Sequence, residues 1–267
     1  MESKFLEDIE QHEVEITGGT CGVPILYRNV FAVMGGFTAP TLKLKELLPT
    51  SKLVPAEVYP GKGLLGILAA DYRDTSIGPY KELLITVPVR YRPRFNPPLL
   101  PVLRMSASLS FEVFIWQLPL TSEAGLHAGI DIWGFPKFLA DIDFSEDADK
   151  VACSLSEGGR HILTMEVKKN AARMKTYFDF TTFSVKDRDL LRTHIDGISG
   201  SLGRSFKPGG ARLTLGDHEA VLAHSHPLVL NPFEGHPAEA RSILNPATRR
   251  AGKFTTANTS RPISSVG

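Results

Sequence analysis

Apolar runs of strand length, broken by turn residues, dominate the chain. Residues 13–33 alternate enough to predict a strand pair turning near Gly18-Gly19. Residues 64–72 and 83–91 are two further runs, separated by the turn-rich Arg73-Asp74-Thr75-Ser76-Ile77-Gly78-Pro79. Strand character returns at 111–118, 138–144, 151–155, 161–167, 175–183 and 211–215, with turns such as Glu157-Gly158-Gly159-Arg160 between them. Helices are predicted more sparingly. Leu42, Leu44, Leu47 and Leu48, interleaved with Lys43, Lys45 and Glu46, give a short amphipathic helix over 40–48 that Pro49 stops. Thr121 or Ser122 caps a second, running to about Ile132, with Glu123 in its first turn and Gly134 as its stop. The first dozen residues read as a short polar helix and 187–194 as another. Prolines at 93, 97, 98 and 101 make that stretch irregular. The glycines of 197–210 suggest a loop or bulged edge, and the tail from about 247 reads as weakly ordered or held by another subunit. The pattern as a whole predicts a mainly antiparallel, β-rich layout in a single domain over 1–267.

Composition narrows the function more than the fold. With 42% hydrophobic and 22% charged residues in 267, the chain has enough apolar material for one sizeable core. Thirty basic against 29 acidic residues, with no long Lys/Arg cluster, speak against a nucleic-acid partner. Cys21 and Cys153 stand far apart and outside any Cys-x-x-Cys pair, which argues against a disulfide framework or a structural zinc and for a reducing compartment. The acidic N-terminus lacks the apolar core of a secretory signal. No apolar stretch reaches the roughly 18 residues a membrane span needs. The expected setting is the cytoplasm, away from membranes. His218, His224 and His226 lack a surrounding acidic ligand pattern and read as surface histidines. No glycine-rich nucleotide loop or nucleophile elbow occurs, so neither metal nor cofactor is expected.

The candidate chemistry lies in Ile132-Trp133-Gly134-Phe135-Pro136-Lys137, where a lone primary amine follows bulky apolar side chains and a rigid turn. Burial disfavours the charged form of a lysine and leaves a free amine able to attack a carbonyl. Taken alone, Lys137 reads more simply as a lysine after a proline turn, its stem along Trp133 and its charge in water. A second segment, Asp74 to Glu82, leads into an apolar strand carrying Pro88-Val89. Here Glu82 alone reads as a strand-start carboxylate pairing with Lys81 or Arg90. Arg28, in Ile25-Leu26-Tyr27-Arg28, reads equally as a salt-bridge partner or as a bidentate holder of a carboxylate.

Together these motifs resemble the acetoacetate decarboxylase family. Gly134-Phe135-Pro136-Lys137 is similar to the segment carrying that family's Schiff-base lysine, and acetoacetate decarboxylase is itself the standing example of an amine activated by its surroundings. The Asp-Thr, glycine, Tyr80-x-Glu82 series resembles the one bearing the family's active-site glutamate, and Arg28 corresponds by position to a cavity arginine. The resemblance implies an α+β, mainly antiparallel, closed β-barrel-like domain with peripheral helices, assembled as a homo-oligomer. It implies catalytic roles for Lys137, Glu82 and Arg28, with Tyr80, Trp133, Phe135 and Phe138 around the substrate. Two departures stand out. Phe138 replaces a second lysine, which leaves desolvation as the means of lowering the Lys137 pKa. The counterpart of another cavity glutamate falls near Leu68, and no acid lies between Gly61 and Ala70. The expected activity is a Schiff-base lyase decarboxylating a small β-keto acid. Its rivals are an aldolase or dehydratase on a pyruvate-like keto acid and a non-catalytic binding protein.

Overall fold

The computed structural model describes residues 6, 9–171, 174–205 and 209–217, together with the backbone of 241–242 and 253–262. A hairpin of β1 (His12–Ile16) and β2 (Gly19–Val23) turns at Gly18 and Gly19, both at positive φ, where a side chain would be strained. The chain continues through β3 (Leu26–Pro40), α1 (Thr41–Glu46), β4 (Leu53–Pro55), β5 (Glu57–Tyr59), β6 (Lys62–Thr75) and β7 (Tyr80–Tyr91). Two helix-to-strand units follow: α2 (Leu100–Ser108) with β8 (Ser110–Leu120), and α3 (Glu123–Trp133) with β9 (Lys137–Leu139). Then come β10 (Asp141–Glu146), β11 (Lys150–Glu157), β12 (Arg160–Lys168), β13 (Met174–Lys186), β14 (Asp189–Leu202), β15 (Ala211–Leu215), β16 (Arg241–Ser242) and β17 (Lys253–Pro262).

A small antiparallel sheet has the order β10-β11-β12-β15. The main sheet runs β16-β3-β17-β14-β13-β8-β7-β6-β5, with β3 also paired to β6, β4 to β7 and β9 to β8. Its ladders are antiparallel except β13–β8 and β8–β9. The parallel β8–β9 pair needs a crossover between its strands, and α3 is that crossover. The sheet curls into a half-barrel rather than the closed barrel the family resemblance implies. While β3 and β6 pair from Tyr27–Thr75 to Pro40–Lys62, β3 and β17 meet only at Phe254–Tyr27 and Thr255–Leu26, too short a contact to seal a seam.

The period of two decides what each face does. On β7, Leu83, Ile85, Val87 and Val89 pack with Ile67, Phe114 and Phe183 against Ile142, Cys153, Leu155 and Met165 of the small sheet. Leu84, Thr86 and Pro88, between them in sequence, face the concave side and line cavities there. α2 covers part of that side through Val102 and Met105, packed with Met34, Phe111 and Val113.

Several sequence expectations require correction. Residues 187–194 form no helix: Asp187 and Arg188 sit at positive φ in the tight turn of the β13–β14 hairpin, and Leu190 onward is strand. Residues 197–202, expected as a loop or bulged edge, continue β14, with a register shift in its pairing to β13 between Ser199 and Leu202. Its Gly197 pairs across from Phe178, whose ring lies where a Cβ would be, so the glycine serves close packing. The irregular stretch ends in α2, which tolerates Pro101 because a first-turn N–H has no helical partner to lose. Farther along, residues 253–262 form β17 between β14 and β3. The helix expected in the first dozen residues falls largely outside the described residues, as do His218, His224 and His226. Among the described residues no helix is long and apolar enough to cross a membrane.

Candidate active site

Local chemistry fixes where the amine sits. Ser122 caps α3, its hydroxyl accepting from the Gly125 N–H at 3.2 Å, with Glu123 in the first turn. Gly134 ends the helix in the left-handed region, at φ 60°; its N–H donates to the Ile130 carbonyl and the Phe135 N–H to the Gly129 carbonyl. The Ser184 hydroxyl donates to the Trp133 carbonyl at 2.5 Å and the Lys186 ammonium donates to the Asp131 carbonyl, so these helix-end acceptors are satisfied. The chain then enters β9, where the Leu118 N–H donates to the Pro136 carbonyl at 3.1 Å and Lys137 lies opposite Leu118.

Glu82 reaches the same place from β7, between Ala70 of β6 and Leu120 of β8. The Lys137 ammonium donates to both of its carboxylate oxygens, at 3.3 and 3.4 Å. These side chains are 6% and 5% exposed, so the pair is screened from water. Burial pulls the Lys137 pKa below the ordinary lysine value, opposed by the Glu82 charge and hydrogen bond. The nitrogen lies 5.9 Å from the centre of the Tyr80 ring. Tyr80 and Tyr27 share a hydrogen bond of 3.0 Å, and Tyr72 packs 4.7 Å from each ring. Burial raises all three phenols, with the nearby Glu82 charge adding to it, so they stay protonated at neutral pH.

A cavity of about 70 Å³ opens onto this pair, lined by Lys137, Glu82, Trp133, Phe135, Thr182 and Thr193 among others. Two lining side chains hold buried polar atoms without a protein partner among the described residues: Trp133 Nε1 and Thr193 Oγ1. Helix α3 approaches the amine closely. A Cβ at Gly129 would collide with the aliphatic stem of Lys137, and one at Gly125 would come within 2.8 Å of Leu120.

The structure thus brings together Lys137, Glu82, Tyr80, Trp133 and Phe135. Arg28 lies elsewhere, its side chain 43% exposed and paired with Asp74 at 3.4 Å. Phe138, next along β9, points to the opposite pleat and packs against the core under the small sheet, so it does not surround the amine. The solvent-facing alternatives for Lys137 and Glu82 are not what forms: Lys81 pairs with Asp143 and Arg90 with Glu112. Sequence reasoning passed over Tyr27, Tyr72, Gly129, Thr182 and Thr193. The two tyrosines close the ends of facing strands: a period-two reading of β6 puts Tyr72 on the cavity side with Leu68 and Ala70, whereas Tyr27 is out of step with Val30, Ala32 and Met34 and reaches the cavity through the register shifts around Asn29. No local pattern marks the rest. Among the described residues no group of three or more His, Cys, Asp or Glu is placed to hold a metal.

A curled β-rich domain that shelters a carboxylate-paired amine on its concave face defines the class. The acetoacetate decarboxylase (ADC) family matches residues 20–245, and the chain belongs to that family. Among solved structures it is similar to the acetoacetate decarboxylase of Legionella pneumophila subsp. pneumophila str. Philadelphia 1, at 15% identity and TM-score 0.60, covering 98% of this chain and 94% of that one. It is also similar to the enduracididine biosynthesis enzyme MppR complexed with pyruvate, at 13% identity and TM-score 0.59, covering 90% and 91%. An acetoacetate decarboxylase-like enzyme from Sphingomonas wittichii RW1 matches at 12% identity and TM-score 0.52, covering 91% and 94%. These likenesses show the fold. A comparison with curated proteins finds no match.

Proposed function

We propose that the chain is a cytoplasmic, homo-oligomeric Schiff-base enzyme acting on a small keto acid, with decarboxylation of a β-keto acid as its reaction. The carrying observation is the buried Lys137–Glu82 pair facing a cavity, with burial lowering the amine's pKa. Glu82 takes the ammonium proton, and the free amine adds to the keto carbon. The carbonyl oxygen leaves as water with two protons, giving an iminium. The bond to the carboxylate then breaks, carbon dioxide departs, and the electron pair moves toward nitrogen as an enamine. Protonation at carbon and hydrolysis release the ketone and restore Lys137. The adjacent Glu82 charge favours the cationic iminium. In this reading the Trp133 indole N–H and the Thr193 hydroxyl serve substrate oxygens, since their polar atoms are otherwise unpartnered. Arg28, paired with Asp74 outside the cavity lining, takes no part.

Two observations favour a second reading, aldol or dehydratase chemistry on a pyruvate-like keto acid. Leu68 stands where the family resemblance would put another carboxylate, and a structural relative is complexed with pyruvate. Incubation with acetoacetate or pyruvate followed by borohydride, with mass analysis of the Lys137 peptide, tests both. A reduced adduct with carbon dioxide release supports the decarboxylase, and an adduct without it supports aldol chemistry. Absence of any adduct across a keto-acid panel leaves a non-catalytic binding protein.

A further inference from the structure

Behind the amine lies a second cavity, of about 100 Å³, on the same concave face. It shares Tyr72, Leu84, Thr182 and Ile195 with the lysine cavity, so the two are adjoining chambers. The chemistry of their walls differs sharply. The second is walled by Val30, Met34, Leu68, Val102, Met105 and Phe111, with other apolar side chains between them. Its threonines have their hydroxyls engaged within the protein: Thr86 donates to the Gly66 carbonyl at 3.1 Å and Thr182 to the Thr193 carbonyl at 3.4 Å. A polar ligand finds little to bind there. Every charged side chain and unpartnered polar atom noted at the site lies on the lysine side of the boundary.

We propose that this chamber receives an apolar substituent of the substrate, an alkyl chain of several carbons or an aromatic ring. The keto acid turned over is then larger than acetoacetate. The inference rests on the Schiff-base reading for the position of the keto carbon, at Lys137. A small keto acid fills only the lysine chamber and leaves the second one empty. Apolar cavities of this order stay dry, and one of about 150 Å³ lined by Leu, Ile and Phe accepts benzene. Leu68 extends the apolar wall of the chamber. Val102 and Met105 close it from α2, so a chain lying there is enclosed by the fold.

The test compares acetoacetate, butanoylacetate, hexanoylacetate and benzoylacetate by kcat/KM and by borohydride trapping at Lys137 below saturation. Each added methylene should raise both about fourfold until the chamber is full. A flat or falling dependence, with acetoacetate still trapped, overturns the chamber and leaves the Schiff-base reading standing. Calorimetric titration with acetone and methyl pentyl ketone, which have no carboxylate to lose, reads the chamber apart from that chemistry. The longer ketone should bind at least about tenfold more tightly. Equal affinities overturn the proposal, whereas tight binding without any trapped adduct upholds the chamber and removes the covalent reading. Val102→Phe and Ala32→Leu narrow the chamber from separate elements, and each should flatten the chain-length dependence. If both retain the full slope, the chain binds elsewhere.

Discussion

Lys81 and Glu82 are neighbours on β7, yet they serve opposite faces of the sheet. Lys81 donates to the Ile142 carbonyl at 2.9 Å and pairs with the exposed Asp143, at the edge of the core beneath the small sheet. Glu82 is 4% exposed and meets Lys137 across a cavity. The following residues repeat the division: Leu83 is fully buried in the filled core, while Leu84 is part of the wall between the two chambers. One side has a whole sheet to interdigitate with. The other has only helices laid against a curled surface, and the space they leave is where an ionic pair is held out of water. The difference teaches that stability and chemistry are separated here by the pleat of single strands rather than by domain.

The most severe way to break this contrast is to unbalance the buried pair. Lys137→Met leaves Glu82 uncompensated and should cost about 3–5 kcal/mol, while Lys137→Met with Glu82→Leu should recover most of it. Urea denaturation of both variants checks this, and a single variant as stable as the parent would mean the pair is already solvated. Next, Leu83→Ala on the filled face should cost about 2–5 kcal/mol, and Leu84→Ala less than about 2, because its far side already borders empty space. Equal losses would erase the distinction between the faces. Gly129→Ala removes a helix-weakening glycine but drives a methyl group into the Lys137 stem. Trapping and turnover should fall about a hundredfold, with stability within about 1 kcal/mol of the parent. The smallest effect is on pH. Since the folded state holds the Lys137 proton less tightly than the unfolded chain, stability should rise with pH between the lowered folded value and the ordinary lysine value. The rate of trapping should climb over a midpoint below that ordinary value. Replacing both partners removes the slope, as urea midpoints across that range would record.

Much of this was legible because strand periodicity and capping act locally. Ser122, Glu123 and Gly134 marked the helix that delivers Lys137, and the apolar runs at 64–72 and 83–91 marked the two strands that carry the cavity wall. The failures have one physical origin, in contacts between segments distant in sequence. Asp187-Arg188 reads as a helix start until β13 and β14 pair around it, and Gly197 reads as a loop until Phe178 lies over it. At the site, Phe138 and Arg28 show the same limit. Apolar character did not reveal which pleat Phe138 takes, and charge did not reveal that Arg28 would pair with the exposed Asp74. Glu82 pairs with an amine brought by β9, a strand whose position depends on the α3 crossover.

The close approach of Gly129 to the Lys137 stem also bears on the entropy of reaction. A lysine side chain loses up to about 2 kcal/mol of rotamer freedom when it is ordered. Here helix backbone lies against the stem and Glu82 against the nitrogen, so that loss accompanies folding, before any substrate arrives. A keto carbon entering the chamber meets a nucleophile whose direction is already set, and the collision need not select it from a swinging population.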